Sequence, residues 1–329
     1  MTDQRARPSR RTFLTLGAGA LVVASVPFAI RQRRRQLYRR TLPVMGTIAE
    51  VTVVHANPDR AQEALDAAFA ELARIDRLMT RYDRASDIGR ANTARAGVAV
   101  PVTHETAGVV LAALDWAVAT DGAFDPAIER VSTLWNVLER TSPPSADAVH
   151  RLAGRNLYRA LELSVHAGQP VIVRHDADVG LDLGAIAKGY AVDWAGEVLR
   201  AHGIRDGVVR VGGDLVALGT PPDDDAWRIG IRSPASESVL IGEVEVSDAA
   251  VATSGDYQRF FMYQGVRYHH LMDPATAAPR RTPMHSITTR ASTCMHADAA
   301  STSCYGMDRA RANALLAARP MHPEIVRTA

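Results

Sequence analysis

The run Asp182-Leu183-Gly184-Ala185-Ile186-Ala187-Lys188-Gly189-Tyr190 contains the only lysine among the 38 basic residues of the chain; every other one is arginine. A chain that writes nearly every surface and ion-pair cation as Arg keeps Lys where a compact ammonium on a flexible stem is needed, because a planar guanidinium fork cannot imitate it. Asp182 and Gly184 stand before Lys188 in what reads as a helix-opening turn, where free backbone N–H groups favour an anion. Backbone donors, one ammonium and a nearby carboxylate for a bridging metal suit a diphosphate. The spacing predicts a helix after Gly184 that buries Ile186, Tyr190, Trp194 and Val198 and ends at His202-Gly203. Lys188 lies half a turn from that stripe, so it faces a cleft.

Outward from this run, the patterns alternate between strand and helix without a regular βαβ period. Ile48 to His55 alternates as a strand, and Asn57-Pro58 supplies an N-cap and a helix-opening proline. Ala61, Leu65, Ala68, Leu72, Ile75 and Met79 follow at helical spacing. A second helix fits Thr103 to Thr120, closed by Gly122, and Gly168-Gln169-Pro170 joins Leu161–Val165 to Val171–Arg174 as a hairpin. From Gly207 to Ile287 short β-rich runs are separated by Gly, Pro and Asp turns, and helices from about His296 and about Arg309 close the chain. Mixed order with several hairpins indicates an α+β domain over residues 41–329.

The first 40 residues read as an address. Arg10-Arg11-Thr12-Phe13-Leu14 opens an uncharged stretch from Thr12 to Ile30, resembling a twin-arginine export signal. That stretch could also span a bilayer. The reading therefore leaves two outcomes, cleavage or retention as a membrane anchor, and places the folded part in the periplasm or on the outer face of the cytoplasmic membrane. Six arginines follow between Arg31 and Arg40, which opposes an N-in anchor. No cysteine lies near enough for a lipid anchor. Ten of the arginines fall in residues 1–40 against one acid, Asp3, so the net charge of +2 hides an acidic remainder. The alkaline pI is therefore no argument for nucleic-acid binding. With a helix from about His296, Cys304 lies more than two turns along it and too far from Cys294 to bridge, so both read as small buried residues.

Phosphate-loop, zinc-protease and nucleophile-elbow patterns are absent, and Gly17-Ala18-Gly19 belongs to the export signal rather than to a dinucleotide fingerprint. Asp298 and Thr302, four apart, put a carboxylate and a hydroxyl on one helix face, a hard-oxygen pair suited to Mg²⁺. Alone, an Asp near a helix start is ordinary capping. Gly212-Gly213-Asp214 and Thr253-Ser254-Gly255-Asp256-Tyr257 are polar turns, and His269-His270 followed by Asp273-Pro274 puts an imidazole beside another turn.

In order and spacing, Met45-Gly46-Thr47, Gly122-Ala123-Phe124-Asp125-Pro126, the Asp182–Tyr190 run, Gly212-Gly213-Asp214, Thr253–Tyr257, His270-Leu271-Met272-Asp273-Pro274 and Ala297-Asp298 with Thr302 resemble the ApbE family of FAD:protein FMN transferases. The resemblance covers the chain from about Leu42 to the final helix. It implies a single T-fold-related domain of mixed, mostly antiparallel strands packed with helices. It also implies an FAD site lined by Met45, Tyr82, Ala123, Phe124, Asp125, Asp182, Lys188 and Met272. Mg²⁺ would be held by Asp298, Thr302 and the carbonyl of Ala185, with Lys188 and His270 as the catalytic pair. The implied reaction moves FMN from FAD to a Thr or Ser hydroxyl of a target flavoprotein and releases AMP, with His270 as a base near neutrality. The alternatives are an FAD pyrophosphatase, with water as acceptor, and a flavin-binding protein without catalysis. One departure is visible: Thr276-Ala277 stands where the family usually has Thr-Gly.

Overall fold

The computed structural model describes Leu21–Val23 and residues 35–329. Arg10, Arg11 and most of the apolar run after them lie outside the described residues, as does the basic stretch up to residue 34. At the centre is a seven-stranded sheet, antiparallel throughout. Its spatial order is Glu324–Thr328, Ser286–Ala291, Ala249–Gly255, Asp214–Leu218, Gly207–Val211, Thr47–His55 and Gln36–Val44. The Gln36–Val44 edge strand pairs along its whole length with Thr47–His55, so the domain takes in residues 36–40, which the sequence assigned to the leader.

Both faces of the inner strands of this sheet are covered: Gly207–Val211, Asp214–Leu218 and Ala249–Gly255 are buried throughout and Thr47–His55 nearly so. Ala49, Val51, Val53, Val209, Val211, Val216, Leu218, Ala250 and Ala252 face the helices. Val54, Val208, Leu215, Ala217 and Val251 point the other way, onto Trp227, Ile229 and Ile231 of the Trp227–Ser233 strand. That strand pairs with Ser236–Val246 on one side and with Leu21–Val23 on the other. The helices of the described residues are α1 (Pro58–Met79), α2 (Asp87–Thr93), α3 (His104–Ala119), α4 (Glu129–Trp135), α5 (Ala146–His150), α6 (Ala187–Ala201), α7 (Cys294–Cys304) and α8 (Arg309–Ala317). The expected α1 stripe is the buried one, with Asn57 capping it, and Thr103 caps α3.

Three expectations are corrected. The buried side of α6 is Ala187, Ala191, Val192, Ala195 and Leu199, while Trp194 is 41% exposed. Small residues win the interior because α6 is wedged between α1, α7 and the sheet. Gly196 sits against Val216, and a Cβ on Gly189 would come within 2.3 Å of the Cys294 carbonyl oxygen. The helix expected from His296 begins at Cys294, and the two cysteines at its ends are buried free thiols. The chain closes not on a helix but on the strand Glu324–Thr328, an edge partner of Ser286–Ala291. Its short Ile-Val core gave too little alternation to read against the helix before it.

Candidate active site

Helices α6 and α7 meet at their N-termini and cap each other. Neither has a side-chain cap of its own. Asp193 of α6 accepts from the backbone N–H groups of Cys294 and Met295 at 2.7 and 2.9 Å. Asp298 of α7 accepts from the Gly189 N–H at 3.1 Å. Each carboxylate therefore satisfies orphan donors at the positive end of the other helix. Burial pushes the Asp193 carboxyl up to about 6, against the pull of those two backbone donors. Capping was the bland alternative for Asp298; it does cap, but the neighbouring helix rather than its own.

The same approach brings Lys188 onto two buried acids. Its Nζ lies 2.5 Å from Asp214 Oδ2 and 3.0 and 2.9 Å from the two oxygens of Asp298. The Lys188 side chain is 26% exposed and each carboxylate 3%. Burial works against the ammonium, yet Asp214 and Asp298 outweigh it and raise the Lys188 pKa. Burial, and then the neighbouring Asp298, push the Asp214 carboxyl up to about 7, against the pull of Lys188. One turn along α7 from Asp298, the Thr302 hydroxyl is 3.2 Å from that of Ser254, which also meets Ser301 at 2.8 Å. The described residues contain no group of three or more His, Cys, Asp or Glu placed to hold a metal ion. A metal at this spot would draw on hydroxyl and carbonyl oxygens besides Asp298. Two buried carboxylates against one ammonium, with hydroxyls alongside, fit a hard divalent cation.

A second wall is built at the same end of the sheet. Met45-Gly46 is a two-residue hairpin loop with φ of 53° and 64°, as a type I′ turn requires at both positions. The Met45 N–H donates to Asp76 at 3.0 Å, and Arg259 donates to the Gly46 carbonyl at 2.9 Å. The Arg259 carbonyl in turn accepts from the His270 N–H at 3.1 Å. His270 Nδ1 is buried without a hydrogen-bond partner among the described residues. Burial, with Arg259, His269 and Lys188 adding repulsion, holds the imidazole down at about 3. The expected base near neutrality is therefore a neutral but weak one in this fold.

The remaining residues carried over by resemblance lie on other elements. Asp182 Oδ1 accepts from the Gly184 N–H at 3.0 Å, Oδ2 lies 3.4 Å from Arg81 Nε, and the Asp182 N–H reaches the Pro126 carbonyl at 2.9 Å. Asp125 is clamped by the N–H groups of Ala127 and Tyr158, and burial raises it to about 6. Phe124 is buried in the main core, and the Ala123 carbonyl takes a 2.8 Å bond from Arg280. Tyr82 stands 80% exposed under the Arg81 guanidinium, 4.6 Å from its ring centre. Met272 is half-buried against the cluster of Trp135 and Phe261. The Thr276-Ala277 turn forms with Ala277 at φ 49°, the left-handed conformation that a glycine would adopt without strain. The Ala277 carbonyl takes the Trp135 indole bond at 2.7 Å.

Asp214, Asp193, Ser254 and Arg280 complete the site, and sequence reasoning did not select them for it. Asp214 and Ser254 read only as turn residues, because nothing local reveals that two turns far apart in sequence share one sheet end. Arg280 bonds the carbonyls of Ala123 and Tyr305 together, and among so many arginines it gave no signal.

The sequence model of the ApbE family matches residues 45–325. The FAD:protein FMN transferase of Treponema pallidum (strain Nichols) is 33% identical over 302 residues, 87% of this chain and 83% of that protein. Among solved structures, the ApbE protein of Thermotoga maritima superposes with a TM-score of 0.78 at 30% identity, covering 88% of this chain and 94% of that one. The apo flavinyl transferase ApbE of Pseudomonas stutzeri gives 0.73 at 28%, covering 86% and 88%.

Proposed function

The chain belongs to the ApbE family, and from that premise we propose that it carries FMN from FAD to a Thr or Ser hydroxyl of a partner flavoprotein, with Mg²⁺ bound and AMP leaving. FAD:protein FMN transferase activity is the activity of its relatives over most of the chain. The observation that carries the finer reading is the Lys188 ammonium held between buried Asp214 and Asp298, with Thr302 one turn on and Lys188 among the charges that keep the His270 imidazole neutral.

In the proposed step the acceptor oxygen attacks the FMN phosphorus. A new P–O ester bond forms, the bridging P–O bond breaks, and the AMP phosphate leaves. Asp298, Thr302 and the Ala185 carbonyl would hold Mg²⁺, which neutralises diphosphate charge when bound. Lys188 adds a fixed positive charge where negative charge develops. His270 takes the hydroxyl proton, a contribution of the order of 10²–10⁴-fold. A bound diphosphate places negative charge against Arg259 and Lys188, two of the cations that depress His270, and so moves the imidazole toward the range in which it is an effective base. The leading stretch with Arg10-Arg11 supports export, so the reaction belongs to the periplasm or the outer face of the cytoplasmic membrane.

The test is incubation of the purified chain with FAD, Mg²⁺ and a candidate flavoprotein. An acceptor heavier by one FMN, with AMP released in step, is the expected result. AMP and free FMN at one rate with and without acceptor, and no mass gain, would favour the pyrophosphatase. Bound FAD that stays intact would leave only a flavin-binding protein.

A further inference from the structure

The strands Phe260–Tyr263 and Val266–His269 form a hairpin joined to no third strand among the described residues. Phe260 faces His269, Phe261 faces Tyr268 and Met262 faces Arg267 across the register, so alternate pairs share a face. Phe261 and Tyr268 are plugged inward, their rings stacked at 5.1 Å, with Tyr268 on Trp135 at 5.5 Å. The opposite face offers Phe260 at 37% and Met262 at 53% exposure, with the Arg267 guanidinium 4.7 Å from the centre of the Phe260 ring. Free strand edges beside a partly exposed pair of apolar side chains, Phe260 under one guanidinium and Met262 more open, are a surface for an added strand.

Resting on the transferase reading above, we propose that this hairpin is the docking surface for the acceptor: an extended segment of the partner flavoprotein lies along it, with apolar side chains on Phe260 and Met262 and a carboxylate near the acceptor hydroxyl. The occupant follows from continuity with the site. His270 is the next residue after the hairpin, and its N–H holds the carbonyl of Arg259, the residue before Phe260. The foot of the hairpin is thus the place where a hydroxyl must arrive, and the tip is ~10 Å beyond it at ~3.3 Å per residue. A segment whose hydroxyl reaches His270 has its neighbours over Phe260 and Met262. Charge selects among such segments. Arg259 and Arg281 flank the hairpin, and among the described residues neither forms an ion pair with a carboxylate, whereas Arg267 is paired with Asp256 at 3.0 Å.

The experiment uses the full chain with FAD and Mg²⁺ and a displayed library of random 15-residue segments around a fixed central Thr, sorted by covalent flavin fluorescence. Labelled segments are expected to be enriched in apolar residues and in Asp or Glu beside the Thr. A Phe260→Ser/Met262→Ser variant is expected to label them ~10-fold less at limiting segment concentration, the size of losing a contact anchor. Its acceptor-free FAD cleavage and its melting temperature should be unchanged. Labelling by the variant equal to wild type, or labelled segments without that enrichment, would overturn the docking surface while leaving the transferase standing. Hairpin-dependent binding to anionic phosphatidylglycerol vesicles, with labelling independent of the hairpin, would reassign the surface to lipid. If wild type cleaves FAD but labels no segment, the transferase reading fails with it.

Discussion

Lys188 is held at 2.5–3.0 Å by carboxylate oxygens on two elements, a gap fitted to one ammonium. A guanidinium is wider and spreads its charge over a plane, so Lys188→Arg cannot occupy the gap without moving Asp214 or Asp298. The expected outcome is a folded protein whose AMP release with acceptor falls by roughly 10²–10³-fold, the usual cost of displacing one preorganised charge. Circular dichroism and steady-state kinetics decide it; wild-type turnover would reduce the single lysine to a coincidence of codon usage. His270 gives a prediction in pH. Its imidazole is protonated near 6.5 in an ordinary setting and near 3 in the fold, where burial comes first among the causes and Arg259 next. Between those values the unfolded chain binds the extra proton, so stability is lost as pH falls from 6.5 toward 3, by up to ~1.4 kcal/mol per pH unit. Asp125 and Asp193, both raised to about 6, act in the opposite sense. They are common to wild type and a His270→Asn variant, so the difference between the two isolates the histidine. Urea denaturation at stepped pH should show a flatter profile for the variant, and parallel profiles would mean that the imidazole is not buried as described.

At the scale of elements, the site exists because α6 and α7 touch N-terminus to N-terminus. Gly189 makes this contact possible, since a Cβ there would lie 2.3 Å from the Cys294 oxygen and 2.7 Å from the Met295 Cα, both backbone atoms. Ala is intrinsically the better helix former by ~1 kcal/mol, but overpacking against backbone costs more than that. Gly189→Ala should therefore destabilise the protein by roughly 2 kcal/mol net and weaken activity by parting Lys188 from Asp298. Denaturation and AMP release should fall together, and a stabilised, fully active variant would show that the helices are free to separate. The legible and illegible parts of the fold divide along similar lines. Helix α1 carried its own cap and stripe and could be read residue by residue, and the bounds of α3 were legible from Thr103 to Thr120. Helix α6 misled because its large residues, Trp194 above all, suggested the wrong buried side. Close helix packing selects small residues, and periodicity weighted by size cannot see it. The mutual caps Asp193 and Asp298 are invisible locally, because each serves a helix a hundred residues away.

For the whole molecule, the question is where the proposed leader would stop and the domain starts. The sequence placed the junction at residue 40, on the last arginine of the basic stretch. The sheet places it earlier: Gln36 already pairs with His55, Arg40 bridges Asp66 of α1, and Arg35 reaches Asp206. Those contacts blurred the reading because the same arginines serve as a basic flank in sequence and as ion-pair partners in space. Cleavage at residue 40 would take away half of the strand Gln36–Val44 and expose the Thr47–His55 edge, an unpaired edge of the kind folded proteins avoid. If the chain is exported folded, the sheet is complete before translocation, and any processing must fall on the N-terminal side of Arg35. Two measurements follow. Replacing Arg10 and Arg11 by Lys should leave the chain in the cytoplasm, and unaltered export would point to the general secretion route, in which the chain crosses unfolded. In wild type, intact-mass analysis of the exported form should give an N-terminus upstream of Arg35. A mature form starting at residue 41 or later that keeps full activity would mean that the edge strand, and with it the Met45-Gly46 turn it positions, is not needed to build the site.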